Sequence, residues 1–175
     1  HGPVVAGQFG MTWNVISIVG GIAWAWFGPR IPQMGMLISQ KEYKKLDKIF
    51  WHTMKITGTV AAAGTVTVWL AFFFLIETNH PIAERFLPLL PTGILLLTQF
   101  ILFLAMPFSM YLRAHKKEPT LFVSLFSGVF VALSTLILGK YYSAVGMAIG
   151  YFVVNIIAVP IVLLIWYRCR KEWHA

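Results

Sequence analysis

The chain predicts an all-α integral membrane protein: a bundle of five transmembrane helices plus one cytoplasmic amphipathic surface helix. Three observations predict it. Long apolar runs occupy roughly residues 9–28, 56–76, 86–112, 120–139 and 141–167, and a run of this length rises about 30 Å as a helix, the thickness of the hydrocarbon layer. Only 11% of the 175 residues are charged, against 58% hydrophobic, too few to clothe a water-facing surface, since soluble domains carry about 25%. Basic residues crowd into alternate gaps between the runs. Arg30, Lys41, Lys44, Lys45, Lys48 and Lys55 fill the first gap, Arg113, Lys116 and Lys117 the third, and Arg168, Arg170 and Lys171 the tail, whereas the second and fourth gaps hold only Arg85 and Lys140. Basic loops stay in the cytoplasm, so the pattern predicts an N-terminus outside and a C-terminus inside.

The first span, Phe9 to Phe27, carries Gly20, Gly21, Ala23 and Ala25, small residues that admit a close neighbour, with Pro29 and Pro32 expected to end it. Ser39-Gln-Lys-Glu42 fits a capping box opening the amphipathic helix, with Tyr43, Leu46, Ile49 and Phe50 on its apolar side and Lys41, Lys44, Lys45 and Lys48 on the other. The second span, Ile56 to Ile76, follows directly, and Glu77 to Glu84 form a short outside loop. Pro88, Pro91 and Pro107 in the third span predict a bent helix. His115 to Pro119 make an inside turn, and Lys140 to Gly146 an outside turn so short that the fourth and fifth helices must be antiparallel neighbours. Gly146-Met-Ala-Ile-Gly150 is a small-residue packing motif at the start of the fifth span.

Composition excludes several functions. The net charge of +8 is the topological signal, and no basic stripe interleaved with aromatics exists for nucleic acid. Cys169 is the sole cysteine, so neither an internal disulfide nor a cysteine metal site is possible. The chain carries no Walker A loop, no His-Glu-x-x-His and no Gly-x-Ser-x-Gly, so no enzymatic activity and no cofactor is expected. The five histidines are spread through loops and span ends, which predicts no metal site. His1-Gly-Pro-Val-Val lacks an initiator Met and signal-peptide features, which, with an odd number of helices beginning outside, predicts that earlier helices precede this stretch.

Six residues are candidate substrate contacts. Ionisable and amide groups inside a membrane are costly and tend to mark function. Lys55, one turn into the second helix, reads as an intramembrane cation or a lysine snorkelling to the interface. Arg30 and Arg113, at inner span ends, read as anion contacts or as topology determinants. Asn14, Gln99 and Asn155, in the first, third and fifth spans, read as interhelical hydrogen bonds or substrate contacts. No deep Asp or Glu is evident for proton coupling.

Ile31-Pro-Gln-Met-Gly-Met-Leu-Ile-Ser39 before a charged helix, Met110-Tyr-Leu-Arg-Ala-His-Lys-Lys-Glu-Pro119, and Tyr141-Tyr-Ser-Ala-Val-Gly-Met-Ala-Ile-Gly-Tyr151 together resemble bacterial polysaccharide-repeat flippases. These belong to the multidrug/oligosaccharidyl-lipid/polysaccharide exporter superfamily. The resemblance implies a twelve-helix protein in two six-helix lobes, of which residues 1–175 would be the last five helices. It further implies the bacterial inner membrane, the protein's own N-terminal helices and membrane lipids as partners, and a lipid-linked oligosaccharide as substrate. Such proteins move undecaprenyl-pyrophosphate sugar repeats from inner to outer leaflet for O-antigen and lipopolysaccharide synthesis. On that reading Arg30, Lys55 and Arg113 would hold the pyrophosphate, and Asn14, Gln99 and Asn155 the sugar hydroxyls. The rivals are a drug or cation exporter of the same fold, which predicts acidic cavity residues; a membrane-embedded glycosyltransferase or polymerase subunit, which wants a large outside loop with Asp, Glu or Arg chemistry; and a non-transporting membrane partner or inactive truncated fragment.

Overall fold

A computed structural model describes residues 2–174, and among them all regular structure is helical. Helix α1 spans Pro3–Phe27 and, after a 3-10 turn at Gly28–Arg30, continues as α2, Ile31–Ser39. Helix α3 spans Tyr43–Glu77, α4 Leu89–Ala114 and α5 Leu121–Trp173, with a second 3-10 turn at Pro81–Arg85. Four helical stretches are long and apolar enough to cross a membrane: Pro3–Ser39, Tyr43–Glu77, Leu89–Ala114 and Leu121–Trp173.

The prolines act at helix starts. Pro29 and Pro32 lie in the first turn of a new helical segment, where a missing N–H costs nothing. They carry the helical rod on through the 3-10 turn rather than end it. Pro88 is the N-cap of α4 and Pro91 sits in its first turn, so only Pro107 lies inside that helix. The expectation of a helix bent by three prolines is therefore corrected to one interior proline.

The capping box is also corrected. Ser39 is the last residue of α2, and its Oγ donates to the Met36 carbonyl at 2.7 Å. The chain reverses at Lys41 (φ 58°). There the Lys41 amide donates to the Ile38 carbonyl and the Glu42 amide to the Leu37 carbonyl, the paired bonds of a Schellman ending. Glu42 thus caps α3, and its carboxylate pairs with Lys45 at 2.9 Å. The amphipathic stretch is the opening of α3 itself, with Leu46 and Phe50 fully buried and Lys44, Lys45 and Lys48 exposed.

Two apolar clusters hold the bundle. One gathers Phe27, Met34, Leu46, Phe50, Phe108, Tyr111, Leu112 and Trp166. The segments meeting there carry every basic residue of the chain except Arg85 and Lys140, so the alternate basic gaps of the sequence converge at one end. The other cluster joins Ile16, Leu87, Leu95, Leu96, Ala144 and Ala148. Between the ends, large apolar side chains such as Phe74, Phe122 and Leu136 stand 62%, 68% and 71% exposed. A band of this kind is costly against water and suits lipid.

At the second cluster α1 is pinned to the approach to α4. The Leu87 amide donates to Thr12 Oγ1 at 3.0 Å in a buried setting, the Thr92 hydroxyl donates to the Leu87 carbonyl at 3.2 Å, and Gln8 Nε2 donates to the Glu84 carbonyl at 2.8 Å. Thr12→Val keeps the shape and strands the Leu87 amide, a loss of about 2 kcal/mol for an orphaned buried donor. Thermal unfolding in detergent should show Thr12→Val well below the parent and Thr12→Ser close to it.

Helix α5 contains both of the last two apolar runs. As a straight rod its 53 residues would extend about 80 Å. Instead it breaks at Ser143 (φ 57°, ψ −143°), a conformation with a strain cost for any side chain. The arms 121–142 and 144–173 fold back on each other, so that Phe122, Phe126 and Phe130 line one groove with Val153, Ile157 and Ile161. Gly146 makes this possible. A Cβ there would collide with the Leu138 carbonyl and fall 2.8 Å from the Tyr142 Cβ, so only glycine lets the second arm leave the turn this close to the first.

Candidate functional site

Gln99 on α4 stands between two grooves. One, of about 290 Å³, is lined by Ser17 and Gly21 from α1, Thr57 from α3, and Phe103 and Met106 from α4. The other, of about 330 Å³, brings Gln99 together with Ser109 of α4 and Ser124, Ser127 and Asn155 of α5. Thr57 is 4% exposed, and its Oγ1 is buried without a hydrogen-bond partner. A buried hydroxyl in that condition is unusual in a folded protein. Asn155 is buried and donates from Nδ2 to the Tyr151 carbonyl at 2.7 Å, while its side-chain carbonyl keeps its acceptor capacity.

The structure therefore unites two of the six expected residues, Gln99 and Asn155. Asn14 is exposed on α1 and lines neither groove. The three cations stay apart from them. Arg30 is exposed and donates from Nη1 to Gln33 Oε1 at 3.2 Å. Arg113 lies 3.6 Å from Glu118. Lys55 is exposed and precedes Thr57 by two residues, about 200° around a helix, so it faces away from the groove that Thr57 enters.

A second constellation, at the basic end, was not anticipated from the sequence. Asp47 of α3 accepts from Arg170 of α5 through Nη2 at 2.5 Å and Nε at 3.3 Å, and from the Tyr111 hydroxyl of α4 at 3.0 Å. His174 Nε2 lies 3.3 Å from the Tyr111 hydroxyl and 3.4 Å from His115 Nε2. Two of the histidines are thus neighbours, which corrects the picture of five scattered imidazoles, and one carboxylate is half-buried among aromatic rings. Tyr43 stacks on His174 with ring centroids 4.1 Å apart, and Lys117 lies 4.9 Å over the Trp173 ring. One signal was present in the sequence. Asp47 is four residues after Tyr43 and three before Phe50, so it shares their buried face rather than that of the lysines.

The network admits one proton arrangement. Asp47 only accepts, so Tyr111 spends its proton there. His115 Nδ1 lies 3.0 Å from the Tyr111 backbone carbonyl, an acceptor, so it is Nδ1 that carries the proton. His115 Nε2 is then a lone pair, and His174 Nε2–H donates toward it and the Tyr111 oxygen. A proton added to His115 would set one N–H against another. Burial lowers the affinity of both imidazoles for protons. For His115 it outweighs the Tyr111 carbonyl and is helped by Lys117. For His174 it acts against Asp47, with His115 and Arg170 assisting. Because the folded values lie below 6.5, this packing is fully stabilising above pH 6.5 and weakens as pH falls from there through the folded values. Amide hydrogen exchange over residues 168–174 should accelerate between pH 7.5 and about 5.5, beyond the intrinsic pH effect on exchange. The change should be absent in His115→Gln/His174→Gln.

Among the described residues no three His, Cys, Asp or Glu side chains converge to hold a metal ion. The basic-end network thus joins three helices through one carboxylate, while the mid-bundle grooves have Ser, Thr, Gln and Asn side chains in their linings. In comparisons with protein-family models, curated proteins and solved structures, nothing matches this chain.

Proposed function

We propose that this chain is part of a lipid-linked oligosaccharide flippase of the bacterial inner membrane. In this reading it crosses the bilayer five times, the arms of α5 counting separately, with the basic end in the cytoplasm. The observation that carries the proposal is Gln99 standing between two grooves whose polar lining is made of hydroxyls and amides. Sugar hydroxyls are neutral donors and acceptors, and groups of the same kind replace water around them at little cost. Neither groove is lined by a carboxylate, the feature a cation exporter would require. The pyrophosphate of an undecaprenyl-linked repeat would meet Arg30, Lys55 and Arg113 at the basic end while its sugars occupied the grooves. No enzymatic step is part of this reading, which has the protein only bind, turn and release the substrate.

Two measurements test it. In a strain lacking its own repeat flippase, the complete protein should restore surface polysaccharide, and Gln99→Leu/Asn155→Leu should lose at least about 90% of that output at equal expression, roughly the 1.4 kcal/mol equivalent of one decade. Unchanged output would remove the grooves from the pathway. For the threading, single cysteines in a Cys169→Ser background should react with an impermeant maleimide from opposite sides: Lys117→Cys from the cytoplasm, Tyr141→Cys from outside. Labelling of both from one side would refute five crossings.

A further inference from the structure

A further recess lies at the basic end, between the first turn of α3 and the last turns of α5. It is an open depression of about 500 Å³, lined by Tyr43, Lys44 and Asp47 on one side and Tyr167, Arg170 and Lys171 on the other, together with His174. Arg170 is neutralised by Asp47, and Glu42, just before α3, is occupied by Lys45. Glu172 follows Lys171 in sequence but does not line the recess. The recess therefore keeps the charge of Lys44 and Lys171, one from each helix, with Tyr43 and Tyr167 also in its lining.

The neighbouring surface of α5 says what kind of anion fits. Ile157, Ile161, Leu164 and Tyr167 are 59%, 42%, 58% and 59% exposed, and with Lys171 they follow one another at intervals of four, three, three and four residues. That spacing places them on one face, an apolar stripe that begins within the membrane-spanning part of α5 and ends at the cationic recess. A soluble phosphate would use the recess and ignore the stripe. A lipid uses both, its chain along Ile157, Ile161 and Leu164 and its phosphate between Lys44 and Lys171.

We infer that this recess is a binding site for the phosphate of an anionic phospholipid of the cytoplasmic leaflet. The site rests on the membrane placement of the chain and is independent of what the mid-bundle grooves carry. A phosphate held by both lysines bridges α3 to α5 beside the Asp47–Arg170 pair, so an occupied site reinforces the same closure from the lipid side. Interfacial tyrosines and lysines are suited to the headgroup level.

The test is titration of the full chain, in neutral detergent, with short-chain phosphatidylglycerol, following the thermal midpoint. Phosphatidylcholine and soluble glycerol phosphate form the comparison arms. Phosphatidylglycerol should raise the midpoint saturably, and the other two should not. Lys44→Gln/Lys171→Gln should weaken the apparent affinity by about tenfold, whereas the charge-matched Lys45→Gln/Lys116→Gln should leave it within about twofold. Leu164→Ser should weaken phosphatidylglycerol with both lysines intact. Equal loss in the two lysine pairs would mean diffuse attraction, an equal response to glycerol phosphate would mean a soluble anion, and retention in Lys44→Gln/Lys171→Gln would mean another site. Each of these overturns the proposal. The flippase assay reads different residues, so failure here leaves that reading standing and the converse also holds.

Discussion

Gly146→Leu is expected to prevent the two arms of α5 from closing. The obstacle is backbone: the new Cβ would meet the Leu138 carbonyl and the Tyr142 Cβ, neither of which can turn aside as a flexible side-chain tip would. Overpacking against movable groups costs about 1–3 kcal/mol, and an immovable contact belongs at or above the top of that range. Gly146→Ala should therefore cost roughly 3 kcal/mol, and Gly146→Leu should yield no closed hairpin. Since both arms remain helical, circular dichroism will change little. Limited proteolysis is the better readout, with cleavage near Ser143 appearing in the variant and absent in the parent. Ser143→Gly should move the other way, gaining about 1–2 kcal/mol by removing a side chain from a conformation that disfavours one. If Gly146→Leu resists protease like the parent, the fold-back described for α5 is wrong.

Removing the Asp47 carboxylate should be the most damaging single change at the basic end. Its side chain is 23% exposed and that of Arg170 34%, between the surface pairs worth about 0–1 kcal/mol and the buried ones that cost about 3–5 kcal/mol to break. Asp47→Ala leaves Arg170 and the Tyr111 hydroxyl without their acceptor, and about 2 kcal/mol is expected. The loss should be coupled. Once Asp47 is gone, Arg170→Gln should add much less than it costs alone, and Tyr111→Phe likewise, in double-mutant cycles of unfolding in detergent. Additive effects would mean that the three groups do not act through one carboxylate.

These two sites differ in how far the sequence discloses them. The turn at Ser143 was legible because two apolar runs abut with five residues between Lys140 and Gly146 to reverse the chain, and the convergence of basic residues followed from their spacing. The start of α3 was misread. Ser39 and Glu42 satisfy a capping pattern, but a lysine in the left-handed conformation at Lys41 is what shifts the boundary, and lysine carries no such signal. The prolines were overcounted because their effect depends on whether they fall in a first turn, and helix boundaries are the least legible feature of a sequence. Among site residues, Gln99 and Asn155 stood out as amides in apolar runs. Asp47 was hidden by the lysines around it, and the imidazoles of His115 and His174 are 59 residues apart in the chain, a separation that no local pattern bridges. Charge close in sequence to Thr57 did not mean charge facing the groove it enters. Lys55 and Thr57 share a helix yet look in different directions.

The reversal at Ser143 also bears on how the polypeptide reaches its final state. The arms it joins are consecutive, so their mutual packing closes only a short loop, and short loops form quickly and at small entropic cost. The pairing of Thr12 with Leu87 and of Asp47 with Arg170 instead spans 75 and 123 residues. Assembly should then be hierarchical: a terminal hairpin that matures by itself, followed by slower docking of the earlier rods, with the carboxylate at Asp47 among the last contacts made.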